Sequence, residues 1–189
     1  MHLANLVPIF WMAFGLIWIV AWAQTKKTQT RAPLGSRLLY GVPVAMGGYL
    51  MASDIRLPWL PSDAILRHSP TLEAVGILLT GAGIAFAIWA RMCLGQNWSS
   101  AVSIKVGHQL IRRGPYAWVR HPIYSGLLLA LIGTALERRR VIGFVAVAMF
   151  WLGFWIKSRL EEGFMRQTFG EEYIEYSRGT GALIPRLRP

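Results

Sequence analysis

Cysteine and acidic residues are both scarce in this sequence of 189 residues. Cys93 is the one cysteine, so no internal disulfide can form and a cysteine-based metal site has no support. Strand-like alternation of polar and apolar residues, internal repeats and low-complexity linkers are also missing. These absences exclude a disulfide-stabilised fold and a repeat protein, and they favour an all-α fold without a metal.

Positive charge exceeds negative charge, with 20 Lys and Arg against 9 Asp and Glu and a formal net charge of +11. An excess of this size can indicate a nucleic-acid partner. Here, however, the basic residues are scattered at the ends of apolar segments, where they attract anionic lipid head groups. We therefore expect membrane lipids as partners and no nucleic acid.

Hydrophobic residues make up 54% of the chain and occur in long blocks. A helix needs about 20 mostly apolar residues to cross a bilayer, or somewhat fewer when flanking side chains extend to the surface. Five blocks are candidates, at residues 3–23, 38–53, 72–90, 122–136 and 141–156. Ser69 and Pro70 are typical of a helix start ahead of the third block. The sequence predicts an all-α integral membrane bundle of about five transmembrane helices.

The last two blocks are separated only by residues 137–140, which predicts a tight helical hairpin. Short cytoplasmic loops are enriched in Lys and Arg, and this rule places the N-terminus outside and the C-terminus in the cytoplasm. The three arginines of the hairpin turn break the rule. Either their side chains extend to the far head groups or the hairpin does not cross fully, and the sequence leaves both open.

Polarity changes at Gly95. Residues 1–94 form the predicted three-helix membrane region, and residues 95–189 carry a cytoplasmic cofactor-binding loop, the hairpin and a cytoplasmic tail, within one structural domain. The polar residues concentrate in the second part. Any chemistry is therefore expected there.

Two polar clusters border the hairpin. Because Pro122 is typical of a helix start, Arg120 and His121 are expected at a helix N-terminus, where backbone N–H groups favour an anionic group. Glu161 and Glu162 follow the fifth block directly. The open ends of a helical hairpin are adjacent, so we expect both clusters to form one site.

The ordered motifs of the second half resemble the isoprenylcysteine carboxyl methyltransferase family and its prokaryotic relatives. The resemblance rests on His108, Gly114-x-Tyr116, Arg120-His121-Pro122-x-Tyr124-x-Gly126, Glu161-Glu162 and Phe169-Gly170-x-x-Tyr173-x-x-Tyr176. It implies S-adenosylmethionine as methyl donor and a location in a prokaryotic inner membrane. The first half matches only in being helical.

The same resemblance implies a set of site residues. The expected donor-binding residues are His108, Gln109, Leu110, Gly114, Pro115, Tyr116, Arg120, His121, Pro122, Tyr124, Gly126, Glu161 and Glu162. Arg120, Glu161 and Glu162 are the expected catalytic residues. Which of the two glutamates contacts the donor stays open at this point.

The acceptor is expected to be a lipophilic molecule that partitions into the membrane, such as an isoprenylcysteine-like carboxylate. Three alternatives remain: a phospholipid N-methyltransferase, an NADPH-dependent membrane reductase with a similar Arg-His-Pro-x-Tyr feature, and a non-enzymatic membrane assembly factor. Family membership does not fix the acceptor, because related sites on one fold serve different substrates. Oligomeric state is equally open.

Overall fold

The computed structural model describes residues 6–23, 25, 28–53, 55, 69–98, 102–105, 107 and 109–186. Within these ranges the chain forms six α-helices: α1 (Leu6–Trp22), α2 (Leu34–Ala52), α3 (Pro70–Leu94), α4 (Pro122–Arg138), α5 (Val141–Phe169) and α6 (Glu171–Gly179). Two 3₁₀ turns, Gly95–Asn97 and Gly114–Ala117, lie between α3 and α4. The largely helical prediction is confirmed for these residues.

A short antiparallel ribbon is the exception to the all-α prediction. Strand β1 (Thr28–Arg31) pairs with β2 (Ser103–Lys105), with Thr30 opposite Ile104. Strands of this length show too few residues for alternating polarity to be visible in the sequence. The ribbon joins the segment before α2 to the segment before α4.

Each of the five apolar blocks coincides with a helix. Ser69 begins α3 as predicted, since its hydroxyl oxygen accepts a hydrogen bond from the backbone N–H of Leu72 at 3.4 Å. Among the described residues, Pro70–Asn97 and Val141–Phe169 are long and apolar enough to cross a membrane, and α1 is a shorter apolar helix of 17 residues. The five-crossing topology and the division at residue 95 stay predictions.

Helices α3 and α4 approach each other closely through glycines. A Cβ atom on Gly83 would lie 2.5 Å from the backbone nitrogen of Ala130 and 2.5 Å from the carbonyl oxygen of Gly126. A Cβ on Gly133 would lie 2.5 Å from the carbonyl oxygen of Gly76. Small residues allow helix backbones to pack this closely in membrane proteins. The pair α3 and α4 forms the rigid centre of the fold.

A buried polar network connects α1 to this centre. The indole N–H of Trp11 donates to the Thr134 hydroxyl at 3.0 Å, and the Thr80 and Thr134 hydroxyls lie 3.4 Å apart. The Thr80 hydroxyl also bonds the carbonyl oxygens of Gly76 and Ala130. Every hydroxyl in the network therefore has a partner, as an apolar interior requires.

The outer faces of α1 and α2 expose many large apolar side chains. They are Ile9, Met12, Leu16, Ile17, Ile19, Val20, Leu34, Leu38, Leu39, Val42 and Met46. An apolar surface of this extent is unfavourable in water and marks contact with a membrane or another protein. It agrees with the predicted membrane bundle.

The arginines of the hairpin turn bind the end of α2. Arg138 donates to the carbonyl oxygen of Met51, and Arg140 donates to those of Ser53 and Ile55 at 2.9 and 3.0 Å. Carbonyl oxygens at a helix C-terminus carry partial negative charge and favour cations. Arg138 and Arg140 thus bind carbonyl oxygens of the protein. The sequence alone indicated only side chains that extend to the head groups or a hairpin that does not cross fully.

Gly83→Ala is expected to destabilise the protein by about 1–3 kcal/mol, because the added methyl group meets backbone atoms of α4. Thermal unfolding in detergent, followed by circular dichroism, measures the change. Gly41→Ala in α2 is the matched control, since its Cβ would meet nothing within 4 Å and alanine favours a helix. Equal stability of the two variants would contradict the close approach of α3 and α4.

Candidate functional site

A cavity of about 800 Å³, including the space at its open mouth, lies where α3, α4, α5 and α6 meet. Small-molecule sites in proteins combine apolar walls with a few polar groups. The cavity is lined by Leu94, Asn97, Trp98, Gln109, Leu110, Ile111, Tyr116, Arg120, His121, Ile123, Tyr124, Glu161, Met165, Tyr173 and Tyr176. Its mixed lining suits a small molecule with both charged and aromatic parts.

Arg120, which lines the cavity, forms a buried ion pair with Glu162, which does not. The Nε and one terminal nitrogen of Arg120 each lie 2.8 Å from Oε1 of Glu162, and these side chains are 12% and 4% exposed. A second terminal nitrogen of Arg120 donates to the carbonyl oxygens of Ser177 and Thr180. All three guanidinium nitrogens are therefore engaged within the protein.

The segment after α6 is held against the start of α4 by main-chain contacts. The backbone N–H groups of Arg120 and His121 donate to the carbonyl oxygens of Gly181 and Ala182 at 2.9 and 3.1 Å. The Ser125 hydroxyl donates to the carbonyl oxygen of Leu183 at 2.6 Å. The tail thereby becomes a fixed part of the site.

His121, Tyr124 and Glu161 form the polar wall of the cavity. The Tyr124 hydroxyl donates to both carboxylate oxygens of Glu161, at 2.8 and 3.0 Å. Nδ1 of His121 lies 3.4 Å from Glu161, and its Nε2 lies 3.4 Å from Glu162. Nε2 is buried and makes no hydrogen bond of good geometry. The wall thus carries a carboxylate and an unsatisfied ring nitrogen side by side.

Charge around His121 is set by the two carboxylates. Burial alone would lower the pKa of His121, but the attraction of Glu161 and Glu162 outweighs it and raises the pKa above its ordinary value. Burial also raises the pKa of Tyr116 and Tyr173, and raises that of Tyr176 to about 12. These three phenols are therefore neutral near pH 7 and do not act as bases.

Lys157 lies directly beside Glu161 on α5. Its Nζ is 4.0 Å from Oε1 of Glu161, 5.3 Å from the Tyr124 ring centre and 5.4 Å from the Tyr40 ring centre. Tyr40 belongs to α2, where it packs in an apolar cluster with Ile156 and neighbouring side chains. The ammonium group therefore stands between the cavity wall and the apolar contact of α2 with α5.

Arg112 connects the two polypeptide segments at the cavity mouth. Its guanidinium lies 2.8 Å from a carboxylate oxygen of Glu172, donates to the Glu172 carbonyl oxygen at 3.0 Å and lies 5.7 Å from the Tyr176 ring centre. The hydroxyl of Tyr176 donates to the carbonyl oxygen of Tyr116 at 2.7 Å. Loop 109–113 and α6 are joined across the site by these contacts.

The structure brings together seven of the residues expected from the sequence. Gln109, Leu110, Tyr116, Arg120, His121, Tyr124 and Glu161 line the cavity. Gly114, Pro115, Pro122, Gly126 and Glu162 do not line it. His108 lies outside the described residues.

Each residue away from the lining has a structural position that explains its presence in the motif. Gly126 packs α4 against α3, as described above, and Pro122 is the first residue of α4. Gly114 has a φ of +60° and faces Cys93, whose sulfur would lie 2.8 Å from an added Cβ. Pro115 is buried in the 3₁₀ turn that carries Tyr116. These residues build the wall without reaching the cavity.

Sequence reasoning missed eight lining residues. They are Leu94, Asn97, Trp98, Ile111, Ile123, Met165, Tyr173 and Tyr176. Two signals were available: Tyr173 and Tyr176 share one face of α6, and a polar tripeptide ending in Asn97 interrupts the apolar sequence before Trp98. The aliphatic residues carry no sequence signal that separates them from ordinary core residues.

A family model for phospholipid methyltransferases matches residues 72–172, more than half of the 189 residues. The chain belongs to the phospholipid methyltransferase family. The match includes α3, α4, α5 and the loop between them, which supply most of the cavity wall. Members of this family are named for methyl transfer, so the family implies a methyl donor.

Curated relatives agree with the resemblance found in the motifs. The Saccharomyces cerevisiae protein-S-isoprenylcysteine O-methyltransferase is 33% identical over 114 residues, covering 59% of this chain and 48% of the yeast protein. The Homo sapiens protein of the same name is 30% identical over 126 residues, covering 65% of this chain and 44% of the human protein. The chain thus spans about half the length of the curated relatives it matches.

A solved structure shares the fold. The eukaryotic intramembrane Ras methyltransferase ICMT superposes with a TM-score of 0.58 at 23% identity, over 80% of this chain and 50% of that one. Together with the apolar helices, the shared fold identifies this family member as an integral membrane protein.

The free energy of unfolding is expected to decrease as the pH rises from about 6.5, the ordinary pKa of histidine, through the raised pKa of His121 in the folded protein. Protonated His121 pairs with two carboxylates in the folded state, so its contribution is complete below the unfolded pKa and disappears once the folded group deprotonates. Thermal midpoints between pH 5.5 and 9 in detergent measure the effect. His121→Asn removes the titrating group, and an unchanged slope in that variant would contradict this assignment.

Proposed function

We propose that this protein transfers a methyl group from S-adenosylmethionine to a lipophilic acceptor that partitions into the membrane. One observation carries the proposal: the cavity at the polar ends of α4 and α5 is lined by Glu161, Tyr124 and His121, directly beside the apolar helices. A water-soluble donor and a lipid-borne acceptor can both reach such a position. The proposed orientation has the N-terminus outside and the C-terminus in the cytoplasm of a prokaryotic cell.

The lining fits the chemical groups of the donor. When bound, S-adenosylmethionine supplies an electrophilic methyl group on a sulfonium, together with an ammonium, a carboxylate and an adenine. The carboxylate of Glu161 suits the ammonium, and the faces of Tyr116 and Tyr176 suit a cation. Arg120 also lines the cavity, and its positive charge suits the donor carboxylate.

The two glutamates are proposed to have different roles. Glu161 lines the cavity and binds ligand, whereas Glu162 lies outside the lining and holds Arg120 in place. Arg120 in turn bonds the carbonyl oxygens of Ser177 and Thr180. Glu162 is therefore a positioning residue in this proposal. Arg120 lines the cavity, but its guanidinium nitrogens are engaged within the protein, so the catalytic contact is assigned to Glu161.

A carboxylate is the proposed acceptor group, of the isoprenylcysteine type named for the relatives. A carboxylate is ionised near pH 7 and needs no general base, so alignment is the main task of the site. The Lys157 ammonium stands where Glu161 meets the apolar contact between α2 and α5. A positive charge there attracts a carboxylate and opposes a protonated amine.

Methylation of a phospholipid amine is the second candidate, and the name of the matching family model favours it. A protonated amine must first lose a proton, and the Glu161 carboxylate is a candidate base in the described wall. Lys157 lies 4.0 Å from that carboxylate and favours its ionised form, which weakens it as a base. The charges around Glu161 therefore support the carboxylate acceptor.

Purified protein in detergent is expected to bind S-adenosylmethionine and S-adenosylhomocysteine. Glu161→Gln is expected to lower the affinity for both compounds by roughly tenfold or more, because a charge-assisted hydrogen bond is lost. Titration calorimetry measures the affinities. Glu171→Gln is the matched control, because this exposed carboxylate on α6 is not part of the lining. Binding of NADPH alone would indicate a reductase, and binding of none of the three compounds would favour an assembly factor.

Lys157→Met is expected to raise the KM for a farnesylated cysteine carboxylate at least tenfold, because in this proposal the Lys157 ammonium attracts the acceptor carboxylate. The KM for the donor is expected to stay within about threefold of the wild-type value. Methyl transfer from labelled donor in detergent or vesicles measures both constants. Lys157→Arg retains the charge and is expected to restore most of the affinity. Arg159→Met, two residues further along α5 at an exposed position, controls for the loss of a positive charge on this helix. Faster methylation of phosphatidylethanolamine than of the carboxylate by the wild type would contradict the carboxylate assignment.

A further inference from the structure

Trp98 forms an aromatic part of the cavity wall. It follows the 3₁₀ turn Gly95–Asn97 at the end of α3, its side chain is 8% exposed, and it lines the cavity together with Asn97. Trp98 packs in a buried cluster with Tyr116 and Ile123. The cavity therefore has an aromatic part as well as the charged part formed by His121 and Glu161.

Arg91 fixes the position of this turn and of the Trp98 ring. Its guanidinium donates to the carbonyl oxygens of Gly95 and Ala21 at 2.7 and 2.6 Å, and its Cζ lies 4.7 Å from the Trp98 ring centre. Arg91 is 4% exposed. The ring of Trp98 also contacts that of Trp18 in α1, with the ring centres 5.2 Å apart and the ring planes at 84°. A buried charge thus connects α1, α3 and the indole.

Other aromatic residues of the lining already have neighbours on their faces. Tyr124 lies between His121 and Phe154, with near-parallel rings at 5.6 and 4.9 Å, so neither face is open to a ligand base. Tyr176 has the Arg112 guanidinium 5.7 Å from its ring centre. Tyr124 is therefore excluded as a stacking surface, whereas Tyr176, like Trp98, carries an arginine beside its ring.

We propose that Trp98 and Asn97 form the adenine subsite of the cavity, with Arg91 as the positioning residue. The proposal rests on the proposed function, which supplies an adenosyl donor. An indole is a large surface for stacking a purine, and an Asn amide can pair with N6 and N7 of adenine. With the base at this wall, the amino-acid part of the donor extends toward Glu161 and His121 across the cavity.

The first test compares the binding of S-adenosylhomocysteine and 5′-methylthioadenosine by calorimetry. Trp98→Leu is expected to weaken both ligands by the same factor, roughly five- to hundredfold, because the lost contact is with the shared base. Trp98→Phe, which keeps an aromatic surface, is expected to stay within about fivefold of the wild type. Trp89→Leu is the matched control, since Trp89 contacts Phe86 and Trp118 and does not line the cavity.

The role of Arg91 is tested through Trp98. Arg91→Met is expected to weaken both ligands in the wild-type background and to have little further effect in the Trp98→Leu background, because Arg91 acts through the indole. A general loss of stability would instead reduce binding by the same factor in both backgrounds. Equal factors would overturn the positioning role.

Photolabelling of the wild-type protein tests the subsite without a substitution. With the 8-azido analogue of S-adenosylhomocysteine, label is expected in the peptide that contains Asn97 and Trp98. Label confined to the α6 peptide, or wild-type affinity in Trp98→Leu, would overturn the adenine subsite while leaving the methyltransferase proposal in place. Failure of the wild type to bind any adenosyl compound would overturn both.

Discussion

The buried ion pair between Arg120 and Glu162 is the interaction on which the site depends. It joins the segment before α4, the polar end of α5 and, through the carbonyl oxygens of Ser177 and Thr180, the end of α6 and the residue after it. Removing one partner of such a pair costs about 3–5 kcal/mol, because the other charge stays buried and unpaired. The motif residues Arg120 and Glu162 therefore determine where three separate segments meet, and the cavity lies among those segments.

The close packing of α3 and α4 supplies the second constraint. Glycines at Gly76, Gly83, Gly126 and Gly133 set the distance between the two backbones, and the start of α4 carries His121 and Tyr124. Another part of the wall is carried by the end of α3, where Trp98 follows the turn. A change in helix spacing would therefore change the width of the cavity, which explains why a site at the polar end depends on residues in the apolar region.

The sequence predicted the five long helices because their apolar blocks are continuous, and it predicted the meeting of Arg120 with Glu162 because a hairpin brings its open ends together. It did not separate Glu161 from Glu162. Consecutive helical residues point about 100° apart, so the one that faces the cavity depends on the rotation of α5 against its neighbours. Trp98 and the ribbon were missed for a related reason, since both depend on contacts between segments distant in sequence.

The central claim is that Glu162 builds the site whereas Glu161 acts within it, and amide hydrogen exchange of residues 171–182 in detergent tests it most directly. Glu162→Gln is predicted to accelerate exchange throughout this segment in the absence of ligand, because Arg120 loses its counter-ion and no longer holds the tail. Glu161→Gln is predicted to leave exchange there unchanged and to reduce donor affinity alone. Equal protection of the segment in wild type and Glu162→Gln would contradict the account.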